Sequence, residues 1–324
     1  MGEISYRALE PGEDEFIEYA EDIYERSWGR TEYMPDEEQI SEWVDREYFD
    51  VFMAFEAEDP VGSAVISYGE VGEFLYDGVK PGCQGEGVGE GLFKARRKAA
   101  ETYGCEKLFT AATANHTGSQ KIYERNGFEP TGILIETGKN GFEEDHDTVV
   151  LMTNFLEDGR PKTINVPDNY RFFVENRLEE FSNIGERSYN KLGHRDKKAY
   201  KTKSENKFIV DFINDGLDVF GKTEDLESVL QEIGEHSADS KLVNVDLSDG
   251  KSAEAIKSLE SRGFRPCGYF PHWIGGKKDY FLVQDVPRDS TEAVLTDNSL
   301  QIAEELGLVQ DKEKKDGDWA AILG

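Results

Sequence analysis

The residues with the clearest chemical potential form one glycine-rich run, Gln84-Gly85-Glu86-Gly87-Val88-Gly89. Its three glycines let backbone N–H groups approach a ligand closely, because no side chain stands in the way. The pattern also predicts a helix from Gly85 to Tyr103, and the amides at a helix N-terminus attract anions. The run therefore predicts a turn that binds a diphosphate.

Two better-known phosphate motifs fit this run poorly. A dinucleotide fingerprint that starts at Gly85 would need glycine at position 90, where the sequence has Glu90. The series of parallel strands that accompanies the fingerprint is also missing. A P-loop requires Gly-Lys followed by Ser or Thr, which the run lacks. The run therefore suits a different cofactor.

A second group of polar residues comes after a predicted strand, Lys107 to Ala112. Asn115 is a residue type that caps helices well, so we expect a helix to begin there. Ser119 and Tyr123 are four residues apart, which places their hydroxyls on one helix face. Asn126-Gly127 is a typical helix stop.

Together the two groups resemble the GNAT superfamily of acetyl-CoA-dependent N-acetyltransferases over residues 4 to about 155. The family's Q/R-x-x-G-x-G/A signature stands as Gln84 to Gly89, after a hydrophobic-x-Pro step at Val79-Lys80-Pro81. Its second motif stands as Asn115, Ser119 and Tyr123, closing on Arg125-Asn126-Gly127-Phe128. The two motifs lie at the family's usual separation, which makes them more specific than either alone.

The resemblance implies acetyl-CoA as cosubstrate, with no metal. Its diphosphate would bind the amides of Gln84, Gly85, Glu86, Gly87, Val88 and Gly89. The pantetheine arm would run beside Tyr76 to Val79, and Asn115 and Ser119 would lie in the cofactor site. The amide of Val79 would bond the thioester carbonyl. The hydroxyl of Tyr123 would protonate the departing thiolate.

An amine attacks a thioester only when it is neutral, so a base or a water chain must remove its proton. Glu73 and Asp77 lie on or beside the strand next to the expected cofactor, and Glu73 is our candidate. Acidic residues are so abundant in this chain that a solvated surface carboxylate is the alternative reading for either.

The order of elements, β-α-β-β-β-α-β-α-β-β, predicts an α/β (α+β) fold with a mixed, mostly antiparallel sheet flanked by helices. We expect this GNAT domain to span 1–157, followed by a linker and helical segment at 158–205. Strands at Lys207 to Ile213 and Leu217 to Phe220 would form a hairpin, and a helix would span Thr223 to Glu235. A tail at 288–324 would contain a helix from Ala293 to Leu306.

An internal repeat links the two halves of the chain. The segment from Tyr123 to Gly132, YERNGFEPTG, aligns without gaps on LESRGFRPCG, from Leu259 to Gly268. This predicts a second, smaller GNAT-like α/β domain at 206–287. The copy is degenerate, because Leu259 replaces Tyr123, Lys251 replaces Asn115 and no glycine cradle is present.

Acidic residues outnumber basic ones by 67 to 37, a formal charge of −30 spread along the whole chain. Such self-repulsion is tolerable where salt screens exposed charges. The composition is typical of a cytoplasmic protein from a salt-adapted, haloarchaeal-like organism, with an acidic mesophile protein as the alternative. A phosphate backbone would be repelled, so nucleic acid is not an expected partner.

Other signals are absent from the sequence. The three cysteines and five histidines show no metal-ligand spacing. The N-terminus lacks a basic region with an apolar run, and no segment approaches the length of a membrane span. We therefore expect a cytoplasmic protein without a membrane partner.

The sequence as a whole indicates an acyltransferase that moves an acetyl group to a primary amine by direct attack in a ternary complex. The acceptor, a small molecule or a peptide, stays open, and so does the oligomeric state, with a homodimer as one option. Two alternatives remain at this point. One is a non-catalytic acyl-CoA-binding regulatory module, and the other is an acyltransferase that uses a longer acyl-CoA.

Overall fold

The computed structural model describes residues 2–28, 35–135, 148–156, 162–180, 187–189, 217–221, 241–272, 278–285 and 291–323. These residues fall into two compact units, the first ending at Ala111 and the second beginning at Ala112. Each unit combines mostly antiparallel strands with helices, which confirms the predicted α/β fold class. None of the helices in these ranges has the length and apolar character needed to cross a membrane.

The first unit contains a sheet whose strands lie in sequence order. Its elements are β1 (Ile4–Ala8), α1 (Asp14–Trp28), α2 (Glu37–Val44), β2 (Phe49–Glu56), β3 (Asp59–Ser67), β4 (Val71–Val79), α3 (Val88–Tyr103) and β5 (Lys107–Thr113). Strands β1 to β4 pair antiparallel. Strand β4 pairs parallel with β5, and α3 makes the crossover that a parallel pair needs.

Helices α1 and α3 cover different parts of β4. A Cβ on Gly72 would meet Ala100 of α3, whereas a Cβ on Gly78 would meet Ile23 and Tyr24 of α1. Helix α2 was not predicted, because only eight residues carry its pattern. It is nevertheless capped, since the Asp36 side chain accepts a hydrogen bond from the amide of Gln39 at 2.9 Å. The apolar faces of α1 and α2 join β2 and β3 in one buried cluster.

The second unit contains the remaining elements. They are α4 (Gly118–Arg125), β6 (Glu129–Leu134), β7 (Val149–Phe155), β8 (Lys162–Ile164), α5 (Asp168–Glu180), β9 (Arg187–Tyr189), β10 (Leu217–Gly221), β11 (Lys241–Asp246), α6 (Ser252–Glu260), β12 (Arg265–His272), β13 (Lys278–Asp285), β14 (Thr291–Leu295), α7 (Asp297–Glu305), β15 (Val309–Lys315) and β16 (Asp318–Leu323). One sheet has the order β7-β6-β12-β13-β11-β10, and β14-β16-β15 form a second.

The two aligned repeat segments have the same local structure. Gly127 lies in the turn after α4, and Gly263 lies in the turn after α6. Their φ angles are 82° and 99°. Strand β6 has its register shift between Pro130 and Gly132, and β12 has the corresponding shift between Pro266 and Gly268. The two final glycines of the alignment, Gly132 and Gly268, pair with each other across the sheet.

Two of the sequence predictions are wrong in detail. Helix α4 begins at Gly118 with Thr117 at its cap position, so Asn115 does not cap it. The predicted helix from Ala293 to Leu306 is instead strand β14 followed by α7, and the prediction missed β15 and β16. The predicted strand Lys207 to Ile213, the helix Thr223 to Glu235 and most of the 158–205 segment lie outside the described residues.

Candidate functional site

The predicted diphosphate cradle is an open loop between β4 and α3. Gly82, Gly85 and Gly87 have φ of 92°, 80° and 86°, which only glycine adopts without strain. A Cβ on any of the three would meet no atom within 4 Å. Residues 84 to 87 are exposed, so their backbone groups are accessible to a ligand.

Helix α3 presents its N-terminus to this loop. Its cap residue is Gly87, which has no side chain to accept a hydrogen bond from the first-turn amides. Val88 anchors the first turn, since its side chain is buried and its methyl group fills the space beside Gly62. The geometry therefore leaves uncapped amides at the positive end of a sixteen-residue helix, which suits an anionic group.

The charge around the loop comes from its backbone more than from its side chains. Between positions 80 and 90 there is one basic residue, Lys80, beside the acidic Glu86 and Glu90. The Lys80 ammonium lies over the Tyr19 ring, 5.8 Å from its centroid. Glu90 pairs with Lys94 at 3.4 Å. An anion would therefore be held here mainly by amide dipoles.

Val79 pairs with Gly62 of β3, but the ladder places its backbone N–H and C=O on the side that faces away from β3. The amide of Lys80 donates to the carbonyl of Val61 at 3.0 Å, so these two residues form a hydrogen-bonded pair. Such pairs alternate along an antiparallel ladder, and the neighbouring pair, Val79 with Gly62, is therefore non-hydrogen-bonded. The N–H and C=O of Val79 consequently point away from β3.

On the other side of β4, pairing with β5 covers only the first half of the strand. The parallel register runs from Val71 with Lys107 to Phe74 with Thr110. The carbonyl of Val79 accepts hydrogen bonds from the Ser27 hydroxyl at 3.2 Å and from the Gln84 side chain at 3.3 Å. These two donors fix the orientation of the peptide group between Val79 and Lys80. Sequence reasoning missed Ser27, which has no motif of its own.

The two carboxylates considered as the base have different surroundings. Asp77 forms an ion pair with Arg96, whose side chain is buried. Glu73 is half-buried on β4 between Ser67 of β3 and Phe109 of β5, and its Oε1 atom is shielded from solvent. The ion pair makes Asp77 a structural partner of Arg96, so Glu73 stays the candidate base.

The other predicted residues belong to the second unit. Asn115 is exposed, and its amide donates to the Thr113 hydroxyl at 3.3 Å. Ser119 is half-buried, and its Oγ atom has no hydrogen-bond partner among the described residues. Tyr123 is only 2% exposed and packs against Phe128, with ring centroids 5.1 Å apart. One helix face thus carries both hydroxyl groups, as predicted.

Helix α4 is held by the C-terminal strands of the same unit. Asp318 accepts hydrogen bonds from the Thr117 hydroxyl and the Lys121 ammonium, both at 2.7 Å. The Gln120 side chain donates to the carbonyl of Val294 at 2.9 Å. Burial tends to raise the pKa of Asp318, but the bonds from Lys121 and Thr117 outweigh it and leave the pKa below its ordinary value.

Comparison with known proteins finds one family model that is similar to part of the chain. Residues 15–128 match the model of the acetyltransferase (GNAT) family. No curated protein sequence matches the chain at a significant level. The described residues contain no group of three or more His, Cys, Asp or Glu side chains that could hold a metal ion.

Solved structures of several acetyltransferases are also similar to the chain. A ribosomal-protein-alanine N-acetyltransferase from Brucella melitensis is 20% identical, covers 47% of this chain and 99% of its own, and has a TM-score of 0.40. The yncA protein from Salmonella typhimurium, solved with its cofactor acetyl-CoA, is 16% identical, covers 48% and 96%, and has a TM-score of 0.41. A chimera built on the spermidine N-acetyltransferase SpeG from Vibrio cholerae is 16% identical, covers 47% and 95%, and has a TM-score of 0.40.

Proposed function

We propose that the protein transfers the acetyl group of acetyl-CoA to a primary amine by direct attack in a ternary complex. The observation that carries this proposal is the arrangement within the first unit. An open glycine loop and the uncapped N-terminus of α3 follow directly on Val79, whose N–H points away from β3. A diphosphate and a thioester carbonyl are the two groups that these amides would bind.

Each residue then has a distinct role. The amides of residues 84 to 89 hold the diphosphate, and the Val79 amide bonds the thioester carbonyl. Such a donor stabilises the negative charge that develops on this oxygen by roughly 3 kcal/mol. Glu73 accepts the proton of the amine, and Tyr123 donates one to the leaving thiolate. Asn115 and Ser119 contribute to the pantetheine site.

The second half of the chain is a degenerate copy of the first in this proposal. The matched register shifts at Gly132 and Gly268 support a common origin of the two segments. Leu259 and Lys251 stand where the first copy has Tyr123 and Asn115, so the second copy has neither the acid nor the pantetheine contact. Its role is then to support the first copy and shape the acceptor side.

The cradle is tested by Gly87→Ala with Gly104→Ala as its control. Both glycines flank α3, have φ near 90° and have open surroundings, so alanine strains the backbone equally, by about 1–2 kcal/mol. Only Gly87 lies at the proposed diphosphate. We expect Gly87→Ala to weaken CoA binding at least about tenfold in calorimetry, and Gly104→Ala to leave it unchanged.

Thiol release from acetyl-CoA with a panel of amines tests the transfer itself. Release that depends on one class of amine supports the proposal. Tight CoA binding without release for any amine would instead indicate a binding module. An equal loss of CoA affinity in the two glycine variants would show that the glycine loop does not bind the diphosphate.

A further inference from the structure

A buried arginine lies on the face of α3 that packs against the sheet. Arg96 is 1% exposed, although it is four residues after Leu92 on the apolar stripe of the helix. A charge at such a position is costly unless it is paired and hydrogen-bonded. The contacts of Arg96 therefore indicate its role in the fold.

The contacts of Arg96 converge on the middle of β3 and β4. Its Nη1 atom donates to the carbonyl of Val65 at 3.0 Å and to that of Leu75 at 3.4 Å. Its Nη2 atom forms the ion pair with Asp77. The guanidinium carbon lies 4.4 Å from the centroid of the Phe74 ring. Arg96 thus binds two backbone carbonyls, one on β3 and one on β4, and the Asp77 carboxylate on β4.

This part of the sheet contains a β-bulge. Val65 pairs with Leu75 and Ser63 with Gly78, so Tyr76 and Asp77 together face the single residue Ala64. Tyr76 has a φ of 48°, a left-handed conformation that costs a non-glycine residue about 1–2 kcal/mol. The surroundings must stabilise this conformation, and Arg96 binds the residues immediately before and after Tyr76.

The contacts of Arg96 link the strand that carries Val79 to the helix that begins at the cradle. Asp77 is two residues before Val79, and Arg96 is eight residues after Val88, which is about 12 Å along the helix. We propose that Arg96 is a positioning residue, which holds the bulged segment of β4 so that the Val79 amide keeps its place relative to the cradle at the start of α3. The inference rests on the proposed function, because it concerns the geometry of that reaction.

The position of the amide matters for the rate more than for the binding of CoA. The cradle amides hold the diphosphate in the free and the reacting cofactor alike. The Val79 amide acts on the thioester oxygen, where charge develops only during transfer. Loss of Arg96 should therefore lower kcat while the affinity for CoA changes little.

The test compares Arg96→Met and Arg96→Lys with Arg97→Met. Methionine keeps the stem and removes the donors, and lysine keeps the charge but not the planar fork. Arg97, the neighbouring arginine, is half-exposed and pairs with Glu101 on the same helix at 3.0 Å. We expect Arg96→Met to lower kcat about 100-fold with less than about a threefold change in the CoA dissociation constant. Arg96→Lys should recover part of the loss, and Arg97→Met should behave as wild type.

Amide hydrogen exchange at residues 75–79 gives a readout that does not depend on turnover. We expect these amides to exchange at least about tenfold faster in Arg96→Met, with the exchange of β1 and β2 unchanged. Unchanged exchange at 75–79, or a kcat per folded molecule equal to wild type, would overturn the inference. A wild-type protein that releases no thiol would overturn the proposed function, and the exchange rates would then decide the role of Arg96 by themselves.

Discussion

At the scale of single residues, the proposed reaction would use two different kinds of group. Val79 contributes a backbone N–H, whose direction away from β3 follows from the register of the β3–β4 ladder. Tyr123 contributes a side-chain hydroxyl on a helix that is buried on one face. The first would stabilise charge on oxygen, and the second would supply a proton to sulfur.

The role of Tyr123 is separable from its packing. Tyr123→Phe retains the ring that packs on Phe128 and removes only the proton donor. We expect kcat to fall about 10²-fold, with the thermal midpoint close to wild type, in steady-state assays of thiol release.

Tyr269→Phe is the matched control for this prediction. Tyr269 is equally buried, and its hydroxyl donates to Asp279 at 2.7 Å in the second half of the chain. Its loss should cost about 2 kcal/mol of unfolding free energy, because the acceptor is a buried carboxylate, and should leave kcat unchanged. If the Tyr123→Phe enzyme kept its full kcat, Tyr123 would not be the proton donor, and water would protonate the leaving thiolate.

At the scale of elements, sequence patterns predicted best where a short segment settles its own structure. The helix predicted from Gly85 to Tyr103 begins at Val88 and ends at Tyr103, followed by Gly104 with φ of 92°. The repeat was visible because its glycines and prolines mark a turn and a bulge that recur in both copies. These features need no knowledge of distant residues.

The missed elements depend on contacts from elsewhere in the chain. Strand β15, VQDKEKK, is charged and largely exposed, so it has no alternation that could reveal it, and it exists through pairing with β16. No sequence motif singles out Arg96. Its function in the fold depends on carbonyls of Val65 and Leu75, which are 31 and 21 residues away.

The attachment of α4 to the C-terminal strands leads to a prediction about stability. Gln120 is fully buried and its amide group donates to Val294 and Thr113, while Val294 donates to the carbonyl of Ala114 at 2.5 Å. Gln120→Leu would remove its hydrogen bonds to these backbone carbonyls. We expect a loss of about 2–3 kcal/mol in the free energy of unfolding measured with urea. Gln301→Leu, on the exposed face of α7, should change it little; equal losses would contradict the attachment.

Asp318 adds a pH dependence to the same attachment. Its pKa is lowered in the folded protein by its bonds from Lys121 and Thr117, which outweigh the effect of burial. The stabilisation is therefore complete above the ordinary range of a carboxylate and is lost as the pH falls through the lowered pKa. The difference in stability between wild type and Asp318→Asn should accordingly shrink on acidification.

At the scale of the whole molecule, the two aligned segments pair at a point where there is no room for a side chain. A Cβ on Gly132 would lie 2.5 Å from the carbonyl oxygen of Cys267 and 2.8 Å from the Cα of Gly268. The contact thus requires glycine on both strands. The sheet of the second unit continues from β6 into β12, so the two aligned segments share one sheet.

The surplus of negative charge predicts how the molecule responds to salt. A formal charge of −30 opposes compaction through self-repulsion, and screening reduces this repulsion as the Debye length falls from about 10 Å at 0.1 M to about 3 Å at 1 M. Ion pairs such as Arg7 with Glu13 and Lys314 with Asp297 weaken over the same range, but they are exposed and contribute little. The net effect of salt should therefore be stabilising.

We expect the thermal midpoint to rise with KCl, most steeply below about 1 M, because screening is then nearly complete. Sucrose separates screening from a general exclusion of solutes, since it stabilises compact states without acting on charge. A midpoint that is flat or falls between 0.1 M and 1 M KCl would contradict the prediction. A rise that is linear in KCl and parallels the sucrose curve would contradict it too, because exclusion at the protein surface would then account for the stability and the charge would not.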